Sequence, residues 1–258
     1  MVLHDFVTNL MHQTTCLKEF EIVYECHTEA PEVRENWVVE ERGKMLSARI
    51  GDFLKNRSTT LKTEEFWMGA LTQDEIMQVL PYIDKDSLKT IKILYPTEQN
   101  YFRPNNRFFA WELLFDVDKI SATEQWRSVT HLLIETCTVT TPIPNMNITY
   151  FSHLDILVKT ISPDDVFYLK TELLRSAVLG KYRITFREST IDGCLQSLIG
   201  EPYRITAAKN IWFFRMTDPD YYLHIVLETL NLLYPDGTPK LKSIFFAKVD
   251  KEDTPFFR

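Results

Sequence analysis

Between Leu71 and Tyr95 the apolar positions change period. Ile76, Val79 and Leu80 recur at helical spacing behind Thr72 and Glu75, whose separation suits a capping box, and Pro81 ends the turn. Leu88, Ile91 and Ile93 then continue as an extended run. A helix–strand unit of this kind cannot bury its apolar faces alone, so the pattern predicts repetition. Leu3, Phe6, Val7, Leu10 and Met11 predict a helix ahead of a strand at Leu17–Tyr24, and Leu46, Ile50, Phe53 and Leu54 predict another ahead of Leu61–Trp67. A Leu-Lys pair opens the runs at Leu17, Leu61, Leu88 and Leu241. Leu61 and Leu88 stand 27 positions apart, within the ~20–29 residue period of leucine-rich repeats.

The stretches between these units carry fewer apolar positions. Cys26–Arg42 is charged and poorly periodic and reads as an exposed loop, and the Pro- and Asn-rich Tyr95–Asn106 as another. Arg107–Val117 is aromatic and fits helix or strand equally. Ser121 and Glu124 have the spacing of a second capping box, before an apolar run at Val129–Ile134. After a turn at Thr141–Asn145, Phe151–Val158 reads as a strand. Ser162-Pro163-Asp164-Asp165 then supplies an N-cap, a first-position proline and acids against the helix dipole. Tyr182–Phe186 returns as a strand, and a short helix at Ile191–Ile199 is expected between a Ser189 cap and Gly200. Strands at Ile211–Met216, Tyr221–Leu227 and Ser243–Val249, joined by turns at Asp218–Asp220 and Pro235–Gly237, predict an antiparallel cap over an otherwise open sheet edge. The expected architecture is an α/β, irregular leucine-rich-repeat-like helix–strand solenoid. Residues 1–44 form an N-terminal unit and loop, 45–207 the repeats, and 208–258 the β cap of the same domain.

Composition narrows the function classes. Of 258 residues 45% are apolar, enough for a folded core, and the formal charge of −7 opposes nucleic acid and anionic lipid. The N-terminus lacks the basic and long apolar stretches of a signal peptide, and no run is long enough to span a bilayer. Cys16, Cys26, Cys137 and Cys194 are scattered without a CxxC pair, which points to free thiols in the cytoplasm or nucleus.

Chemistry-bearing constellations are sparse. The seven glycines form no phosphate-cradling loop, and no GxSxG elbow occurs. Ser152, His153 and Asp155 are close in sequence, but strand alternation would turn Ser152 away from His153 and defeat a relay. His12, Cys16, Cys26 and His27 lack the short spacings of a zinc site, so buried thiols and a loop histidine are expected. Asp116 and Asp118 could alternate on a strand, as a solvated face rather than a cation site. Phe108, Phe109, Trp111 and Phe115 have few basic residues among them and read as core rather than a base-stacking platform. No catalytic residue, metal or cofactor is expected.

What remains is a surface. With Leu88, Ile91 and Ile93 inward, the strand period sends out Thr90 and Lys92. The same rule sends out His131 and Glu135, then His153, Asp155 and Lys159, then Arg183, Thr185 and Arg187. These ten residues are the expected partner-binding ladder on a concave sheet face, whose mixed charge suits a protein.

Several pieces together resemble the FTH domain, a nematode family found downstream of an F-box in the F-box-A proteins. They are Leu61–Ile93, the Gln125-Trp126 pair, Phe151–Leu154, Ile161–Asp165 with Leu173–Ser176, and Trp212–Met216. The resemblance spans roughly residues 45 to 250 and departs where Arg127-Ser128-Val129 replaces the usual Lys-Asn-Ala. It implies a β/α repeat fold and a non-enzymatic protein-interaction role, that of the substrate-recognition part of an F-box ubiquitin ligase receptor. Residues 1–44 lack an F-box pattern, so a Skp1-type adaptor is expected only if an F-box lies outside this chain. The alternative is a freestanding scaffold or sequestering regulator; a hydrolase with a non-motif site ranks last.

Overall fold

The computed structural model describes residues 10–23, 36–96, 114–189, 194–229 and 242–256. The fold is mixed α/β, with several helices and a large mixed sheet that is not closed. Two compact units divide the chain, Met1–Val129 with Leu133–Thr138, and Thr130–Leu132 with Val139–Arg258.

In the first unit β1 (Leu17–Ile22), α1 (Asn36–Lys55), β2 (Thr63–Gly69), α2 (Gln73–Met77), a 3-10 turn (Leu80–Tyr82) and β3 (Thr90–Leu94) succeed one another. β4 (Leu114–Phe115), α3 (Asp118–Ser121), α4 (Glu124–Ser128) and much of β5 (His131–Val139) follow, in the strand order β1-β2-β3-β5 with β4 against β5. β1, β2 and β3 are parallel neighbours, which requires the crossovers that α1 and α2 supply. Phe20 stands opposite Phe66 and Phe66 opposite Ile91, all three buried. Between them Glu65 and Trp67 are only half-buried. Parallel strands covered on both faces read as continuous apolar runs, so this alternation marks strands that the described helices cover on one face. The buried Trp126 of α4 completes the core, and the adjacent Gln125 donates to the Ile83 carbonyl at 2.9 Å.

The second unit contains β6 (His153–Ile161), α5 (Pro163–Leu173), β7 (Lys181–Ser189), α6 (Leu195–Ile199), β8 (Arg204–Ile205), β9 (Lys209–Arg215), β10 (Tyr221–Thr229) and β11 (Lys242–Asp250). Its order is β6-β7-β11-β10-β9-β8. β6 and β7 are parallel across α5, and β11, β10, β9 and β8 continue the sheet antiparallel. α5 starts where its sequence says: Ser162 and Asp165 form a reciprocal capping box with Pro163 at the first position. Its Val166, Leu169 and Leu173 are buried, while Lys170 donates to the Ile199 carbonyl at 3.2 Å and covers the Phe214 ring. In the core Tyr182 shares its hydroxyl between the carbonyls of Ile148 (2.6 Å) and Phe151 (2.9 Å), and burial pushes its phenol above the ordinary pKa.

Several local expectations change. Residues 36–42, part of the expected loop, are the start of α1, whose Glu41, Arg42, Lys44, Arg49, Asp52 and Lys55 are exposed. Thr72 precedes α2, but its hydroxyl reaches the Glu75 side chain instead of a backbone N–H, and Pro81 lies inside the 3-10 turn. The second cap is Thr123, which accepts from Trp126 N–H, whereas Ser121 donates back to Asp118. Ser189 ends β7 rather than capping α6, which follows Cys194 and closes at Gly200 with φ of 96°. Asp118 opens a helix, so Asp116 and Asp118 do not alternate along a strand. Phe108, Phe109, Trp111, Cys26, His27, the turn at Pro235–Gly237 and most of the N-terminal helix lie outside the described residues.

Candidate functional site: the open sheet face of the second unit

The inward residues of β6, β7, β11 and β10 are Leu154 and Ile156, Tyr182 and Ile184, Ile244 and Phe246, Leu223 and Ile225, all buried. Their neighbours in sequence therefore share the opposite face, and strand register sorts them into rows. In one row Asp155 stands opposite Arg183, Arg183 opposite Phe245, Phe245 opposite Val226, and Val226 opposite Ile211. A second row runs His153, Lys181, Ala247, His224, Phe213, and a third runs Leu157, Thr185, Ser243, Glu228, Lys209.

The ladder residues fall on these strands as follows. Asp155 receives a fork from Arg183, whose Nε lies 2.8 Å from Oδ1 and whose Nη2 contacts Oδ2. The pair is half-exposed, so it contributes little stability but fixes two opposite charges in one place. Thr185 is bonded to Ser243 at 2.9 Å, and Lys159 is exposed. His131 and His153 stack with ring centroids 4.5 Å apart and planes 7° from parallel. The side chains of Glu135 and Arg187 lie outside the described residues. In the first unit Thr90 and Lys92 are half-buried on β3, and the Lys92 ammonium sits 4.3 Å from the Trp67 ring centroid.

Ser152 does not turn away from His153. β6 begins at His153, so strand alternation has no hold on Ser152, and its Oγ lies 3.0 Å from His153 Nδ1. The serine proton goes to the Thr130 carbonyl at 3.0 Å, which leaves the imidazole N–H to donate to the serine oxygen. That polarity is opposite to a serine-to-histidine relay, and the carboxylate that would orient the ring is engaged by Arg183. Among the described residues no three His, Cys, Asp or Glu side chains converge as a metal site, and no helix is long and apolar enough to cross a membrane. Cys16 and Cys194 are exposed free thiols, whereas burial pushes the Cys137 thiol up to about 12.

The aromatic half of this face was not anticipated from the sequence. Phe213 and His224 stack at 4.6 Å and 6°, and Tyr203 meets Phe213 edge-on at 5.8 Å. Burial among these rings depresses the His224 pKa below its ordinary 6.5. A base with a depressed folded-state pKa adds stability that is full above ~6.5 and is lost as pH falls from there toward the folded value. Acidification below neutrality should therefore lower the urea midpoint of the native chain more than that of His224→Phe. Equal losses in both would rule out this titration as a contributor.

The FTH domain model matches residues 45–197, from within α1 to within α6, and stops short of the antiparallel strands that the resemblance was expected to include. No curated protein matches the chain. With more than half of its length so matched, the chain belongs to the FTH domain family.

Proposed function

We propose that this chain is a non-enzymatic protein-interaction module, acting as the substrate-recognition part of an F-box type ubiquitin ligase receptor. Membership of the FTH family carries the reading. The face that engages the partner is the open face of the second unit, centred on His153, Asp155, Lys159, Arg183 and Thr185 with His131 beside them. The sequential parallel strands β1-β2-β3 and β6-β7 are read as the repeat units that carry such faces. Fixed opposite charges such as Asp155–Arg183 favour one partner orientation and penalise others more than they add affinity.

The test is affinity capture from native extract with three forms of the full chain: native, Arg183→Glu, and the swap Asp155→Arg with Arg183→Glu. Arg183→Glu places two carboxylates opposite each other; the swap restores an ion pair on the same backbone with its charges reversed. Native chain, captured together with any F-box that lies outside these residues, is expected to recover a Skp1-type adaptor and cullin with the partner, and both variants to bind the partner roughly tenfold less tightly or worse, ~1.4 kcal/mol. Partner recovery without adaptor or cullin would replace the ligase reading by a freestanding scaffold. Unchanged partner binding by the swapped chain would remove this face from the site.

A further inference from the structure

We infer that the open face of the second unit docks an acidic protein segment, one whose carboxylates flank a short apolar stretch. The inference names the partner chemistry for the interaction reading above and rests on it. Among the described side chains two carboxylates stand on this face of β6–β11, and each is already matched. Asp155 pairs with Arg183, and Glu228 with Lys209 at 3.0 Å. Four cations on the same face have no such match. Lys159 of β6, Lys181 of β7, Arg215 of β9 and Arg204 of β8 are exposed, and no ion pair among the described residues engages them. Register places them with the open-face residues: Lys181 stands opposite Ala247, Arg215 opposite Tyr222, and Arg204 opposite Ile211. The face thus carries surplus positive charge on a chain whose formal charge is −7. Its local field opposes that of the chain as a whole and attracts anionic side chains.

The unmatched cations lie on two flanks. Lys159 and Lys181 belong to β6 and β7, and Arg215 and Arg204 to β9 and β8 at the other end of the strand order. Between the flanks Phe245, Val226 and Ile211 stand side by side across β11, β10 and β9, each half-buried. An apolar centre inside a polar, charged rim is the layout of a protein–protein interface. A single-stranded nucleic acid would need rings on which to stack its bases, and Val226 and Ile211 are aliphatic. Asp155 and Glu228 would also repel a phosphate backbone crossing the face. β7 and β8 are four strand spacings apart, roughly 19 Å. A polypeptide spans that distance in about six residues at full extension, which sets the minimum length between the acids that meet the two flanks.

The experiment titrates the full chain with the synthetic peptide acetyl-Asp-Asp-Leu-Phe-Thr-Val-Leu-Asp-Asp-amide, read by fluorescence anisotropy and by the NMR amide shifts of Phe245, Val226 and Ile211. Saturable binding that moves these amides is expected. The same peptide with lysine for each aspartate should not bind, and one with all four aspartates gathered at its C-terminus should bind more weakly. Lys181→Glu with Arg204→Glu, one reversal on each flank, should weaken binding roughly tenfold or more. Lys181→Gln with Arg204→Gln, which removes the charges without reversing them, should weaken it less. Raising sodium chloride from about 0.1 to about 1 M, which shortens the screening length from about 10 to about 3 Å, should weaken native binding and narrow the gap between native and reversed chains. Equal binding of the acidic and lysine peptides, unchanged binding by the reversed chain, or no saturable shift at these amides overturns the inference. Tighter binding of a twelve-nucleotide oligouridylate than of the acidic peptide overturns it too, by making nucleic acid the occupant. Loss of the captured partner on the Asp155/Arg183 swap alongside a failed peptide titration would sink this inference alone and leave the proposed function standing.

Discussion

Trp126→Ala should lower the stability of the first unit by about 3–5 kcal/mol, the usual cost of emptying a core tryptophan site. Trp126 is fully buried at the centre of a five-residue helix that cannot hold itself together by backbone bonds alone. Its neighbours supply the positioning: Thr123 caps the helix by accepting from the Trp126 N–H at 3.2 Å, and Gln125 ties it to the Ile83 carbonyl at 2.9 Å. The Lys85–Glu124 pair on the same helix is exposed and should matter far less. Against a total stability of ~5–15 kcal/mol the loss is large, and it corresponds to a fall of roughly 6–20 °C in the unfolding temperature of a unit this size. Thermal and urea unfolding followed by circular dichroism measure it, with Trp126→Phe expected to lose less because most of the ring volume remains. A change within about 0.5 kcal/mol, the range of ordinary surface substitutions, would mean that Trp126 is not a core element.

That result bears on how the Gln-Trp pair is read. The pair is part of what makes this chain resemble its family, yet both side chains face inward or onto backbone carbonyls. A family motif of this kind marks how the fold is built, and the binding residues have to be sought elsewhere.

Much of the fold was legible because alternation has one physical cause: a sheet with helices on one face buries every second residue. Phe66 and Met68, Ile91 and Ile93, and Leu154 and Ile156 are inward, and Trp67, Lys92 and Asp155 between them are on the opposite face, as the period of two requires. The rule failed at its edges. Ser152 was placed by counting back from His153, one residue before the strand begins, where the backbone bends and both side chains meet. Ser121 and Thr123 both carry a hydroxyl near the start of α4, and only the backbone geometry decides which one caps it. The aromatic half of the open face was missed for a different reason. Ile211-Trp212-Phe213-Phe214 is apolar at both parities, so periodicity cannot say that Trp212 is buried while Phe213 joins Tyr203 and His224 outside. The legible signal there was the excess itself, since a sheet with one covered face has no packing use for apolar side chains on the other.

Gly51→Ala should destabilise the first unit although intrinsic helix propensity argues for the opposite. Gly51 lies inside α1, where replacing glycine by alanine ordinarily gains about 0.8–1.0 kcal/mol. Here an added Cβ would fall on the Gln78 carbonyl oxygen, closer than real Cβ atoms approach, and stand a tight 3.1 Å from its carbon. The obstacle is backbone at the end of α2, so no side-chain rotation can relieve it. Movement of Gln78 would drag the turn at Leu80–Tyr82, whose Leu80 and Val79 are fully buried and whose Tyr82 carbonyl receives the Leu61 N–H at 2.9 Å. Overpacking of this sort costs about 1–3 kcal/mol, which outweighs the propensity gain. Ala48→Gly, on the same helix and half-buried, should also lose stability, by about 1 kcal/mol, because there propensity acts unopposed. Losses from opposite substitutions in one helix would separate the two effects. A urea midpoint for Gly51→Ala at or above that of the native chain would show that α1 and α2 do not pack backbone to backbone at this position.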